Sequence, residues 1–210
     1  MIKILIADDH PIIRKGVINI ISSESDMKVV CEAADGVQVI ELLKTTEPDI
    51  VILDILMPEM NGFEVLELVK KSYPDLPVLM ISAVSEQIYA SKSLRLGASG
   101  FINKETVHVE LVAAIRKILS GGIYLSKTLH EKIAMNLHTD LTETLHSRLS
   151  AREFQVLCLI GSGKSLTEIG KELNLNVKTV STFRSRLLQK MELLNNSDLI
   201  RYCLNEGLVK

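Results

Sequence analysis

Asp8-Asp9, Asp54, Ser82 and Lys104 are the residues of this chain whose types and spacing could do chemistry together. Asp54 closes the run Asp49-Ile-Val-Ile-Leu-Asp54 and is followed by Ile55-Leu56-Met57-Pro58. Four apolar residues without polar alternation read as a strand buried on both faces, and Pro58 forbids its smooth continuation. The carboxylate then stands where a buried strand ends and a loop begins, the edge at which open α/β sheets bind ligands. A second strand, Lys3-Ile-Leu-Ile-Ala7, ends in the acid pair; Ser82 closes the fourth strand in sequence and Lys104 the fifth. Three carboxylates brought together repel one another unless a divalent cation neutralises them, and oxygen-only ligands point to Mg2+. A carboxylate nucleophile, a metal and an ammonium that spreads the charge of an in-flight phosphoryl group suit phosphoryl transfer. One such residue alone would be an ordinary strand terminus. Five at four strand ends call for a function.

The elements that must position these groups alternate through the first 120 residues. Strands are expected at Lys3–Ala7, Lys28–Ala33, Ile50–Leu53, Pro77–Ser82 and Gly100–Ile102. Helices are expected at Pro11–Ser22, Val37–Lys44, Gly62–Ser72, Glu86–Leu96 and His108–Ser120. Pro11 suits the first helical position, where a missing N–H costs nothing. This alternation predicts βαβ units, hence a doubly wound five-stranded parallel sheet of the α/β class. Asp8, Asp9 and Asp54 converge if the first and third strands are neighbours, as in the flavodoxin-like order 2-1-3-4-5.

Residues 121–147 are polar and read as a linker with a partial helix, Lys127–Leu137. They hold His130, His138 and His146, which are too dispersed for a zinc site and read as solvated linker histidines. Residues 148–210 read as all-α with four helices. Ser150-Ala-Arg-Glu153 and Ser165-Leu-Thr-Glu168 are capping boxes that open helices at Ala151–Ile160 and Leu166–Leu173. A third helix spans Val177–Met191, after the short turn Leu173-Asn-Leu-Asn176. A fourth runs from about Asp198 to Asn205 and stops at Gly207. Two helices joined by so short a turn form a helix-turn-helix.

Composition supports this division. With 47% hydrophobic and 24% charged residues among 210, the chain can bury two small cores. The net charge of −2 conceals an asymmetry: residues 1–120 carry −5, residues 121–147 carry −1, and residues 148–210 carry +4. A basic last part suggests nucleic acid as its partner. No apolar run approaches the roughly 18 residues of a membrane span, so no membrane partner is expected. The chain enters a short strand and an acid pair at once, which excludes a signal peptide and makes the expected location cytoplasmic. Cys31, Cys158 and Cys203 are odd in number and far apart, and are expected as reduced core residues.

At about 100° per residue, Val177, Val180, Phe183, Leu187, Leu188 and Met191 gather on one side of the third C-terminal helix. Lys178, Thr179, Ser181, Thr182, Ser185, Arg186, Gln189 and Lys190 fill the other. Arg184 alone falls in the apolar arc, where its stem packs and its head snorkels. The segment holds four basic residues and no acidic one, and as the second helix of a helix-turn-helix it is placed to enter a major groove.

These residues carry a resemblance. Asp8-Asp9, Asp54 with Met57-Pro58 and Gly62, Ser82-Ala83, and Lys104 preceded by Gly100-Phe101 resemble, as an ordered set, the receiver domain of two-component response regulators over residues 1–120. Leu149-Ser150-Ala151-Arg152-Glu153, Glu168-Ile169, Lys178-Thr179-Val180-Ser181-Thr182 and Lys190-Met191 resemble the LuxR-type DNA-binding domain over residues 148–210. The whole chain is similar to response regulators of the NarL/FixJ subfamily. The resemblance implies that Asp54 accepts phosphate from a sensor histidine kinase. Asp8, Asp9, Asp54 and the Leu56 backbone carbonyl would hold Mg2+. Ser82 and Lys104 would bind the phosphoryl oxygens, and Phe101 would be the aromatic that turns inward with Ser82. Ser181, Thr182 and Ser185 would face bases of double-stranded DNA, and Lys178, Thr179, Arg186 and Lys190 its backbone, with Gln189 on the same face. A phosphorylation-favoured homodimer is implied, with RNA polymerase as a candidate further partner. Such a chain takes up and loses phosphoryl groups but is not a turnover enzyme.

The sequence departs from the family in three places. Glu105 follows Lys104 where many receivers carry Pro. Phe183 stands where the DNA-binding family often has His. Gly170 stands where Ala is usual, expected to weaken its helix by up to about 1 kcal/mol. A haloacid-dehalogenase-type phosphatase also uses an aspartyl nucleophile with Mg2+, but it needs a second Asp two residues on, and residue 56 is Leu.

Overall fold

The computed structural model describes residues 1–82, 86–126 and 145–209. The chain divides into two compact units, Met1–Met135 and Asn136–Lys210. In the first, strands β1 (Ile2–Ala7), β2 (Met27–Ala33), β3 (Ile50–Asp54), β4 (Val78–Ser82) and β5 (Gly100–Asn103) alternate with helices α1 (Pro11–Ser22), α2 (Gly36–Leu43), α3 (Gly62–Ser72), α4 (Glu86–Arg95) and α5 (Val107–Leu119). The sheet is all parallel in the order β2-β1-β3-β4-β5. Every residue of β3 and β4 is buried, which is why these segments lack polar alternation. The pleat sends Ile4, Ile6, Ile50, Ile52, Leu79, Ile81 and Ile102 to one face, into one core with Val17 and Ile21 of α1 and Leu111, Ala114, Ile115 and Ile118 of α5. The alternate residues face the other side, where α2 packs on α3 and α4 meets β4 and β5.

Local sequence sets several boundaries. Pro11 opens α1. Asn61 caps α3 through the amides of Phe63 and Glu64, and Glu64 returns a bond to the Asn61 amide. Gly62 is required by space, because a Cβ there would stand 2.1 Å from the Asp54 carbonyl oxygen. This closeness lets α3 begin directly against the end of β3, with the Gly62 amide donating to the Ile55 carbonyl at 3.0 Å.

Past α5 the chain does not leave the sheet at residue 120. Tyr124 forms a parallel bridge with Gly100. The Phe101 amide donates to the Tyr124 carbonyl at 2.9 Å, and the Tyr124 amide to the Ser99 carbonyl at 3.0 Å. Gly100 permits this approach, since a Cβ there would meet the Tyr124 oxygen at 2.8 Å. The Tyr124 hydroxyl bonds Glu110 on α5, and Leu125 is buried. The start of the segment expected as linker is thus an edge piece of the first unit. The expected helix Lys127–Leu137, with His130 and His138, lies outside the described residues.

The described part of the second unit begins with a 3-10 turn at Leu145–Arg148, followed by α6 (Ala151–Gly161), α7 (Leu166–Glu172), α8 (Val177–Met191) and α9 (Asn196–Asn205). Both expected capping boxes form, with Ser150 accepting from the Glu153 amide and Ser165 from the Glu168 amide. His146 is not a solvated linker residue: it is half-buried, its Nδ1 is 2.8 Å from the Tyr202 hydroxyl, and its ring lies against Phe154. Gly170 is more than a weak point, because a Cβ there would stand 2.9 Å from the Leu175 carbonyl oxygen as the turn folds back. The Leu175 amide donates to the Gly170 carbonyl, and Asn174 takes the left-handed conformation. Cys158 and Cys203 are buried as expected, whereas Cys31 on the edge strand β2 is half-buried.

Gly62→Ala should destabilise the first unit by about 3 kcal/mol, the upper end of ordinary overpacking, because the obstacle is backbone rather than a flexible side chain. Gly16→Ala in α1 has no neighbour within 4 Å of the added carbon and should instead stabilise by about 0.5–1 kcal/mol. Urea denaturation of the two variants checks both signs.

Candidate functional site

The sheet register brings the acidic residues together. Ile4 pairs with Ile50 and Ile6 with Ile52, so Asp8 arrives opposite Asp54 one step beyond the paired residues. Asp54 pairs with Ile81 and Ile81 with Ile102, which carries Lys104 to the same edge. Lys104 Nζ lies 2.8 Å from Asp8 Oδ2 and 2.8 Å from Asp54 Oδ2. Asp8 and Asp54 are buried, Lys104 nearly so, and Asp9 is partly open to solvent. The Lys104 amide donates to the Ser82 carbonyl at 2.8 Å, fixing the loop that carries the ammonium. Ser82 and Phe101 are completely buried, and Leu56 is half-buried on the loop after Asp54.

The electrostatics of this edge are unbalanced. Three carboxylates face one ammonium. Burial pushes Asp54 up from the ordinary aspartate value of 3.8 to about 6; Lys104 opposes this, while Asp8 and Asp9 add to it. Burial also works against the charge on Lys104, but Asp54 and Asp8 outweigh it and hold that ammonium above its usual range. Asp54 Oδ1 is buried with no hydrogen-bond donor among the described residues. Asp8, Asp9, His10 and Asp54 each offer an atom within 4.8 Å of the others. An orphaned buried carboxylate oxygen in a set of hard oxygen donors fits a divalent cation. His10 is the member that residue types alone did not single out. The signal for it was only its place directly after the acid pair.

The second candidate surface is α8. Val180, Leu187 and Met191 are buried and hold the helix to its unit. Lys178, Thr179, Thr182, Ser185, Arg186, Gln189 and Lys190 are exposed, and Ser181 is half-buried. Val177, expected on the apolar side, is exposed because it occupies the first turn, beyond the reach of the core. Arg184 is half-buried and hydrogen-bonds Asn196 through Nε. Lys190 Nζ is 2.7 Å from Glu153 Oε2, and that carboxylate is buried. Burial alone would push Glu153 up; Lys190 and the Ser150 cap overcome it and hold its carboxyl below the usual range. Arg152, also buried, bonds Gln155 and reaches the Leu173 carbonyl at the end of α7. The sequence announced the sign of these charges but not these tertiary partners.

A folded pKa of about 6 against an ordinary 3.8 means that the folded state keeps a proton on Asp54 that the unfolded chain releases. That contribution to stability is present below about pH 3.8 and is lost as pH rises through about 6. In metal-free buffer Asp54→Asn should therefore melt several degrees above wild type at pH 7.5, with the gap narrowing toward pH 5. Equal melting temperatures across this range, by scanning calorimetry, would contradict the assignment of Asp54 as a strained carboxylate.

Comparison with known proteins agrees with this geometry. Residues 4–116 match the response regulator receiver domain, and residues 147–203 match the luxR family of bacterial regulatory proteins. The response regulator UvrY of Escherichia coli is 31% identical over 209 residues, covering 99% of this chain and 96% of its own. The oxygen regulatory protein NreC of Staphylococcus carnosus is 31% identical over 214 residues, covering 99% of each chain. Among solved structures, RcsB of Salmonella enterica serovar Typhimurium, bound to a promoter in the presence of the phosphomimetic BeF3−, is 27% identical. It matches with a TM-score of 0.66 over 96% of this chain and 98% of its own. Two family matches in the expected order and full-length relatives above 30% identity lead to one conclusion: the chain belongs to the NarL/FixJ-type response regulators and is a transcriptional regulator with a receiver and a LuxR-type DNA-binding domain.

Proposed function

We propose that Asp54 is the phospho-acceptor and that its phosphorylation by a sensor histidine kinase controls binding of the C-terminal helix-turn-helix to double-stranded DNA. The observation that carries this reading is Lys104 Nζ at 2.8 Å from both Asp8 and Asp54, at the carboxyl edge of a 2-1-3-4-5 sheet. With a pKa of about 6, Asp54 is mostly ionised at neutral pH and available as a nucleophile. An Asp54 carboxylate oxygen attacks the phosphorus of a phosphohistidine. The O–P bond forms, the P–N bond breaks, and the imidazole leaves with the electron pair and takes a proton. Lys104 transfers part of its attraction from the carboxylates to the incoming phosphoryl oxygens, and Ser82 donates its hydroxyl to another. Mg2+ held by Asp8, Asp9, Asp54 and the Leu56 carbonyl would supply charge neutralisation for those oxygens. Phe101, already completely buried here, stays turned inward with Ser82 in the phosphorylated form. The chain takes and releases the group without turning over an external substrate. It acts in the cytoplasm as a phosphorylation-favoured homodimer, with RNA polymerase a further partner. Among the described residues no helix is long and apolar enough to cross a membrane.

We divide the chain functionally into a receiver at 1–120, a linker at 121–147 and a DNA-binding domain at 148–210. The two family matches, which end at 116 and begin at 147, support this division. Asp54→Asn, incubated with acetyl phosphate and Mg2+, should show no mass increase of one phosphoryl group, whereas wild type does. A phosphoryl group that still attaches to the variant, mapped to another residue by tandem mass spectrometry, would overturn the assignment.

On α8, Lys178, Thr179, Arg186 and Lys190 contact the DNA backbone, while Ser181, Thr182 and Ser185 meet base edges and Gln189 lies on the same face. Thr182 Oγ1 already donates to the Lys178 carbonyl and Ser185 Oγ to the Ser181 carbonyl, each at 3.0 Å. Their hydrogens are committed to the helix, so the outward-facing lone pairs are acceptors suited to the exocyclic amines of adenine or cytosine. Lys178→Ala should weaken specific and scrambled duplexes equally and reduce the salt slope by about one unit. Thr182→Ala should cost about 1–3 kcal/mol on the true site and little on scrambled DNA. Lys190→Ala should lose thermal stability as well as affinity, because buried Glu153 is left without its cation. Salt titrations by fluorescence anisotropy with paired melting curves separate the three. Loss of only specific affinity in Lys178→Ala would reverse the assigned orientation of the helix.

A further inference from the structure

His10 precedes α1 and occupies its N-cap, yet its side chain makes no cap bond. Ser, Thr, Asp and Asn are favoured there because they accept from the first free amides. The imidazole instead turns back toward the acid pair. Its Nδ1 lies 2.6 Å from Asp9 Oδ1 and 3.5 Å from Asp8 Oδ1, and its backbone amide donates to Asp8 Oδ1 at 2.8 Å. One residue thus touches both carboxylates through two different groups.

We propose that His10 is a positioning residue for the divalent-cation site, acting through Asp9. Asp8 is locked by burial, by Lys104 and by the His10 amide. Asp54 is locked by burial and by Lys104. Asp9 has neither constraint: its side chain is 29% exposed and stands near two like charges, which favour its swinging out into water. The imidazole, with Nδ1 2.6 Å from Asp9 Oδ1, stands against the Asp9 carboxylate on its open side and restrains it from swinging away from the cation site. The inference rests on the reading of Asp8, Asp9 and Asp54 as a cation site and adds the residue that orders its most mobile member.

The test uses the full chain and Mn2+ alone, followed by electron paramagnetic resonance. Wild type should bind one Mn2+ without the hyperfine signature of a directly bonded nitrogen. His10→Ala should bind about tenfold more weakly, the lower end of the range for outer hydrogen bonds to ligating carboxylates, with an unchanged melting temperature. His10→Asn, whose shorter polar side chain can still reach Asp9, should recover most of the loss. Equal affinity of wild type and His10→Ala would overturn the proposal while leaving the cation site intact. A directly bonded nitrogen in wild type would overturn it in favour of His10 as a ligand. If wild type binds no Mn2+ at millimolar concentration, the cation reading itself fails and the proposal with it.

Discussion

The receiver unit depends on one ammonium that holds two buried carboxylates. Lys104 Nζ sits 2.8 Å from Asp8 and from Asp54, on the last residues of strands adjacent in the sheet. Burying carboxylates without a partner is too costly to survive, so the ion triad constrains everything around it. The β1–β3 register must bring Asp8 opposite Asp54, because a slip of one residue would turn one carboxylate to the other face. Position 62 must lack a Cβ, because α3 starts within van der Waals range of the Asp54 carbonyl. Even so, the triad is incomplete. Asp54 Oδ1 is buried without a donor among the described residues, and burial, added to by Asp8 and Asp9 and only partly opposed by Lys104, raises Asp54 to about 6. A buried acidic set whose charges are only partly neutralised is the kind of site where perturbed pKa values and hard-cation ligands cluster.

The second unit uses the same device more sparingly. Glu153 is buried, caps α6 through the Ser150 amide and is neutralised by Lys190, which comes from near the end of α8. Arg152 ties α6 to the last turn of α7. The basic character of residues 148–210 is therefore not all surface charge. Some of it fixes the angle at which α8 stands on its support, while Lys178 and Arg186 remain on the solvent side. Net charge pointed to nucleic acid, but it could not tell the cations that hold the helix from those that project from it.

The boundaries most legible in the sequence were those set by local stereochemistry. Pro11 and Gly62 announced α1 and α3, and the stretches Ile50–Leu53 and Pro77–Ser82 announced β3 and β4, whose burial on both faces removes polar alternation. Asp8, Asp54 and Lys104 were legible because each ends an apolar run, so strand order alone brings them together. What the sequence could not display were pairings that depend on tertiary approach. Tyr124 meets Gly100 across a single bridge, too short for any periodicity. His146 finds Tyr202, and Lys190 finds Glu153, across 56 and 37 positions. Gly170 looked like a defect in a helix until the returning turn showed why a Cβ has no room there.

The bridge at Tyr124 also bears on where the first unit ends. β5 carries Phe101 and leads into Lys104, so it lies next to both the reacting edge and the inward-turned aromatic. The Phe101 amide is bonded to the Tyr124 carbonyl, and the Tyr124 amide to Ser99. The segment that follows α5 is therefore attached to the backbone of the strand that carries Phe101 and leads into Lys104. Gly100 brings the two backbones together, and the Tyr124 hydroxyl on Glu110 ties the same segment to α5. A displacement of β5 cannot occur without carrying Tyr124 or breaking two backbone hydrogen bonds, each worth about 1 kcal/mol net. The cheaper course is to move the segment with the strand, so the first residues after α5 belong mechanically to the sheet of the first unit.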